Sequence, residues 1–156
     1  MHTRLLAVGS RQAAWVDEAV TSYTARLPRE WHFRIDVVAT VKRKRNEAAA
    51  RATLDEGQQL LGRIGANEQV ILLDERGTEW TSRELAERLF QWQSDGRDLC
   101  FIIGGPDGVS SAVSERADAS WSLSKLTLPH GLARVLFVEQ LYRANSLQAG
   151  HPYHRD

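Results

Sequence analysis

Cysteine occurs once, at Cys100, which excludes a disulfide within the chain. The residue lies inside the apolar run Leu99 to Ile103 and reads as a small buried hydrophobe, not a nucleophile. No apolar run approaches the ~20 residues of a membrane span. The N-terminal MHTRLLAVGSR is too short in its apolar part for a signal peptide, so the protein is expected to be soluble and cytoplasmic. Charge of neither sign is in excess: 20 Lys and Arg balance 20 Asp and Glu. No global field therefore draws the protein onto nucleic acid, and any such binding must come from local clusters or a dimer surface.

Several catalytic signatures are missing as well. GGPDG at Gly104 to Gly108 is too short for a Walker A loop and no Gly-Lys-Ser/Thr follows it. It is not GxGxxG, and no acidic residue ends a following strand as a dinucleotide fold requires. There is no Gly-x-Ser-x-Gly elbow. His130, His151 and His154 do not share ligand spacing with carboxylates, so they read as surface groups and no metal is expected.

What is present points to one α/β domain spanning residues 1–156. A length of 156 residues with 42% apolar and 26% charged residues suits a single core. Thr3 to Gly9 reads as a first strand, and Ala13 to Leu27 as an amphipathic helix stopped by Pro28. Phe33, Ile35 and Val37 alternate with Arg34 and Asp36, predicting a second strand at an edge or with one wet face. Lys42, Arg43, Lys44 and Arg45 follow, either as a solvated loop or as a phosphate-contacting patch. A helix is predicted from Glu47 to about Arg63, a strand at Val70 to Leu73, and a turn at ERGTE. Thr81-Ser82-Arg83-Glu84 fits a capping box for a helix carrying Leu85, Leu89, Phe90 and Trp92.

The chain is organised around its stretch from Asp98 to Leu147. A buried strand, Leu99 to Ile103, ends in Gly104-Gly105, as happens when something must lie against bare backbone. Pro106, Asp107 and Gly108 turn the chain, and Ser110 or Ser111 can cap a short helix. Trp121 to Leu128 is a second apolar stretch ending at Pro129-His130-Gly131, before a long helix from Leu132 to Leu147. The order β-α-β-α-β-α-β-α-β-α implies a mostly parallel sheet covered on both faces. Ligands of such sheets lie beyond the carboxyl ends of strands. Leu73-Asp74, Gly104-Gly105 and the stretch Leu123 to Leu128 are therefore candidate pocket walls, although the last also reads as a plain buried strand. A glycine-floored pocket without nucleophile or metal suits a site that binds a cofactor and positions a substrate for direct transfer.

LCFIIGGPDGVS, WSLSKLTLPHGLARVLFVEQLYRA and the terminal HPYHRD resemble the ribosomal RNA large subunit methyltransferase H family, small members of the SPOUT class of RNA methyltransferases. LLAVG, KRKR and VILLDERG fall in the family's order, so the likeness spans the chain. The resemblance implies a SPOUT-type fold with a C-terminal trefoil knot, an exception to unknotted topology. It also implies a homodimer and S-adenosylmethionine-dependent N3-methylation of a pseudouridine in large-subunit rRNA on assembled ribosomes. Cofactor contacts carry over to Leu73, Gly104, Leu123, Ser124, Lys125, Leu126, Thr127 and Leu128.

The acceptor nitrogen must lose a proton before it is a good nucleophile, so a group that removes the proton or stabilises the anion is required. Arg143, four residues from Glu139 on the last helix, is the first candidate; the other reading is a surface ion pair. Tyr153, His154 and Arg155 form an aromatic and basic tail able to stack on a base and bind phosphate, unless the terminus is disordered. A non-catalytic ribosome-binding factor that kept the fold is the alternative function.

Overall fold

The computed structural model describes residues 1–9, 12–43 and 49–155. Five strands and five helices alternate: β1 (Thr3–Val8), α1 (Ala14–Thr24), β2 (Arg34–Val38), α2 (Ala49–Leu61), β3 (Gln69–Glu79), α3 (Ser82–Ser94), β4 (Leu99–Ile103), α4 (Ser111–Arg116), β5 (Ala119–Ser122) and α5 (His130–Gln148). Single 3₁₀ turns at Arg29–Trp31 and Pro152–His154 complete the described chain. All pairings are parallel, in the order β2-β1-β4-β3-β5. β2 is an edge strand, exposed at Arg34, partly buried from Ile35 to Val37 and buried only at Val38, as its alternation of charged and apolar residues predicted.

The two-residue period of a strand decides which face each side chain serves. Leu5, Ala7, Leu99, Phe101 and Ile103 point to the layer that includes Leu85 and Leu89 of α3 and Phe137, Val138 and Leu141 of α5. Leu6, Val8, Cys100 and Ile102 point to the other layer, with Leu60 of α2 and Val113 of α4. Every residue of β1 and β4 is buried, so both central strands are covered on both faces. Phe101 is the hub of the first layer, 4.8 Å from Phe137 and 6.4 Å from Trp121 between ring centroids. Burying one such side chain stabilises by about 1.5–3 kcal/mol. Burial also pushes the Cys100 thiol up to about 12, which keeps it protonated and inert.

At the amino ends of the strands Arg4 is buried and grips three partners. It donates to both Glu68 oxygens at 2.8 and 2.6 Å, to Asp36 at 2.8 Å and to the Arg63 carbonyl at 2.6 Å. Burial opposes its charge, but the hydrogen bonds to Glu68 and Asp36 raise its pKa above the usual arginine value. These bonds tie β1, β2 and the turn before β3 together at the end of the sheet away from the strands' carboxyl ends. α3 starts as predicted: the Glu84 amide donates to Thr81 Oγ1 at 3.2 Å and the Thr81 amide donates to Glu84 Oε2 at 2.7 Å.

Two sequence expectations fail. ERGTE is not a turn, because β3 resumes after Gly77 and runs to Glu79. Leu73 and Thr78 both pair with Trp121, so Asp74 to Gly77 is looped out of a continuing strand. Only glycine fits at position 77, where a Cβ would lie 2.7 Å from the Ser120 carbonyl carbon. Second, Leu123 to Leu128 is not strand. β5 stops at Ser122 and irregular chain follows to α5, with Leu126 73% exposed.

Candidate functional site

The carboxyl ends of β1, β3, β4 and β5 open into one cavity of about 730 Å³. Its floor is Ile103 and Gly104 and its mouth is the first turn of α5; the bulge of β3 and the chain after β5 supply its side walls. Of the residues anticipated as cofactor contacts, Leu73, Gly104, Leu123, Ser124, Leu126, Thr127 and Leu128 line it. Lys125 does not: its side chain is 86% exposed and its ammonium lies 3.7 Å from Glu79. The three strand ends anticipated from the sequence thus meet in one place.

The wall after β5 is shaped by serines. Ser122 Oγ donates to the Ser124 carbonyl at 2.9 Å, and the Leu126 amide donates to Ser124 Oγ at 2.9 Å. These local bonds replace the ladder that ended at Ser122. Beside this wall is the β3 bulge, on the strand paired with β5, where the Arg76 amide donates to Asp74 Oδ1 at 2.8 Å. Asp74 and Glu75 give the bulge negative charge, offset in part by Arg76, whose Nε lies 3.6 Å from Asp74 Oδ1.

The glycines of the floor act differently from the sequence expectation. A Cβ on Gly104 would meet Val109 Cγ1 at 2.6 Å and the Gly108 carbonyl oxygen at 2.8 Å. Gly104 is therefore needed for the turn that folds back under it, and a valine there would displace the turn instead of simply filling the cavity. Gly108 closes the turn with its amide on the Gly105 carbonyl at 3.1 Å and with φ +81°, a left-handed conformation that favours glycine.

His130 and Arg134 were not singled out as a pair by the sequence reading, although a His and an Arg four apart at a helix start are a legible signal. Arg134 is 5% exposed; it donates Nε to His130 Nε2 at 2.9 Å and Nη2 to the Gly9 carbonyl. It joins the end of β1 to the first turn of α5. His130 is not a surface group. Burial and the adjacent Arg134 charge push its pKa down to about 4, against an opposing hydrogen bond with the Gly104 backbone. The imidazole is thus neutral at pH 7 and accepts the guanidinium's hydrogen bond. Gly131 packs just as closely, since a Cβ there would lie 2.9 Å from Val16 Cγ2 of α1.

The C-terminal residues form a second cluster. Arg143 donates Nη2 and Nε to Glu139 Oε1 at 2.6 and 3.0 Å and Nη1 to the His154 carbonyl at 3.4 Å. Its guanidinium carbon lies 4.9 Å from the centre of the Tyr153 ring. Tyr153 donates its hydroxyl to Glu139 Oε1 at 3.0 Å, and burial followed by hydrogen bonds to Tyr23 and Glu139 raises its pKa. The tail through His154 packs against α5, with Tyr153 and His154 half-buried. Arg143, Tyr153 and His154, read separately from the sequence, are therefore brought together. Within one chain they are remote from the cavity: thirteen residues of α5 at about 1.5 Å each put Arg143 roughly 20 Å beyond His130.

Of the basic run, Lys42 is exposed, whereas Arg43 is bound to Glu56 and Asp107. Lys44 and Arg45 lie outside the described residues, and Arg155 is exposed. Among the described residues no three His, Cys, Asp or Glu side chains gather to hold a metal, and no helix is long and apolar enough to cross a membrane.

Comparison with known proteins gives a consistent picture. A family described as "Predicted SPOUT methyltransferase" matches residues 1–154. A protein of Methylococcus capsulatus named ribosomal RNA large subunit methyltransferase H is 47% identical over 155 residues, 99% of this chain and 100% of its own length. Proteins of the same name from Chromohalobacter salexigens and Thioalkalivibrio sulfidiphilus are each 46% identical, over 99% and 100% of this chain and the whole of their own length.

Proposed function

Since the chain belongs to the SPOUT methyltransferase family, alongside the ribosomal RNA large subunit methyltransferase H proteins, we propose that it moves a methyl group from S-adenosylmethionine to N3 of a pseudouridine in large-subunit rRNA of the assembled ribosome. The observation that carries this reading is the cavity at the strands' carboxyl ends. Its walls are main chain from three separate strand ends, and it is large enough for a nucleoside-sized ligand. The residues fit the methyl donor. Leu73, Ile103 and Leu128 offer apolar surface, the irregular chain at 123–129 offers backbone polar groups to a base edge, and Asp74 and Glu75 suit a ligand bearing a sulfonium and an ammonium group. Bound there, S-adenosylmethionine supplies an electrophilic methyl group.

The chain's own residues must hold the donor, aim the acceptor and deal with the N3 proton. Leu73, Gly104, Leu123, Ser124, Leu126, Thr127 and Leu128 hold the donor, whereas Lys125, outside the cavity lining, is left out of that set. Arg143 stabilises the anion left when the N3 proton departs, as a positive charge preorganised by Glu139. Tyr153 and His154 flank the acceptor base, and Lys42 and Arg155 contact phosphate. On this reading the cluster serves the cavity of a second copy in a two-fold homodimer, which the separation of Arg143 from its own cavity supports. Trp15 and Leu132, 55% and 44% exposed on α1 and α5, are apolar surface for that contact. The same membership leads us to propose a C-terminal trefoil knot and a cytoplasmic location.

The test is methyl transfer from labelled S-adenosylmethionine to ribosomes and to free rRNA, followed by nucleoside mapping, with light scattering of the protein. Label in N3-methylpseudouridine from ribosomes and a mass twice 17.6 kDa are expected. Ribosome binding without label would favour the non-catalytic factor.

A further inference from the structure

Among the described residues, the partners of Arg43 are all internal to the fold. Its Nη1 donates to Glu56 Oε1 and, at 2.8 Å, to the Val41 carbonyl; its Nη2 reaches Glu56 Oε2 at 3.4 Å. Its Nε donates to Asp107 Oδ2 at 2.9 Å. All three nitrogens of the guanidinium are engaged. Glu56 is buried in α2 with its side chain 2% exposed, and it also accepts the Val41 amide at 3.1 Å. It is pressed against the floor of the cavity, because a Cβ on Gly105 would lie 2.5 Å from Glu56 Oε2.

The other arm ends at the turn Gly105-Pro106-Asp107-Gly108. That turn lines the cavity and packs under Gly104, where there is no room for a Cβ. The Gly105–Gly108 bond and the neighbouring strand end hold the turn at its base, and the Arg43–Asp107 ion pair holds its tip. A buried carboxylate that anchors a cation, which in turn anchors a turn at a ligand's floor, is a brace. A buried Glu56 also needs this cation, since desolvating an unpaired carboxylate is costly.

We propose that Arg43, anchored on Glu56, is a positioning residue that braces the Gly105–Gly108 turn of the methyl-donor cavity through Asp107, and that it is not a phosphate ligand. This rests on the reading of the cavity as the donor site. The basic run then divides by role: Arg43 faces inward to the donor floor, while Lys42 remains exposed toward solvent.

The two roles for Arg43 predict different losses. Arg43→Lys keeps the charge, but one ammonium cannot span Glu56 and Asp107 as the guanidinium does. Asp107→Asn removes only the ionic arm at a half-exposed turn and leaves Glu56 paired. Calorimetry with S-adenosylmethionine should show donor affinity falling about threefold to fivefold in each, the scale of one partly exposed ion pair. The KM for the donor should rise while the KM for ribosomes stays put, and the melting temperature of the Asp107→Asn protein should equal that of the wild type. Ribosome binding by Arg43→Gln, measured against salt, should keep the wild-type slope. Unchanged donor affinity in both Arg43→Lys and Asp107→Asn would overturn the brace, as would a salt slope smaller by about 1 in Arg43→Gln, the signature of one lost phosphate contact. If Arg43→Gln fails to fold, the Asp107→Asn measurement decides alone. Wild-type protein that binds no S-adenosylmethionine at all would instead remove the reading of the cavity.

Discussion

Acidification should loosen the mouth of the cavity before the rest of the fold, through His130. Its imidazole is neutral in the folded protein because it is buried beside Arg134, with a pKa near 4 against 6.5 for the free side chain. For a histidine whose folded pKa is depressed, the unfolded chain takes up its proton first as pH falls. The stabilisation is therefore complete above pH 6.5 and is lost progressively as pH drops toward 4. At about 1.4 kcal/mol for each tenfold change in proton affinity the ceiling is about 3 kcal/mol. The solvated part of the ring lowers this to about 1–2 kcal/mol. With a urea dependence of about 2 kcal/mol per M, that is a loss of about 0.5–1 M in the unfolding midpoint. The control is His130→Gln, whose side-chain oxygen can still accept from Arg134 but carries no titrating group. Between pH 7.5 and 4.5 the wild-type midpoint should fall by about 0.5–1 M relative to that of His130→Gln, because carboxylates common to both cancel. Parallel curves for the two proteins would refute the buried neutral histidine, as would a wild-type His130 ring titrating near 6.5 by nuclear magnetic resonance.

Arg143→Ala should leave donor affinity within a few-fold while single-turnover methylation of ribosomes drops by roughly a hundredfold, the scale of losing one preorganised charge; full activity would reduce Arg143 to the partner of Glu139. Thr81→Ala breaks the reciprocal cap of α3 and should cost about 1 kcal/mol, read as a melting temperature lower by about 2–4 °C with donor binding unchanged.

The sequence was most informative where local and tertiary demands coincide. Leu99 to Ile103 had to be a twice-covered strand because every residue is apolar and glycines follow, and it is β4. Thr81 and Glu84 announced a helix start by chemistry that acts over three residues. The pocket was legible because strand ends in a parallel sheet converge at one edge. Where a segment's state depends on a distant neighbour, the sequence misled. Nothing in ERGTE reveals that Thr78 will find Trp121 and resume the strand, since the pairing is set by β5 more than forty residues later. Leu123 to Leu128 departs for a local reason: it looks like strand by composition, but the Ser124 carbonyl and Leu126 amide are met by the Ser122 and Ser124 side chains two residues away. Arg43 looked free because its partners, Glu56 and Asp107, lie on separate elements.

The strand order has a consequence for a chain made from its amino end. β4 lies between β1 and β3, so no hydrogen-bonded ladder joins the first two strands to the third until residues 99–103 have been synthesised. A nascent chain stopped before Leu99 can hold the β1–β2 pair and an unpartnered β3, each with one side of its apolar residues facing water. Even after β4 inserts, Phe101 meets Trp92 of α3 and Trp121 meets Trp80 among earlier rings, and their cover is incomplete until Phe137 of α5 arrives. Vectorial synthesis thus delivers the centre of this sheet late and its cover last, and the nascent chain carries sticky surface for most of its time on the ribosome.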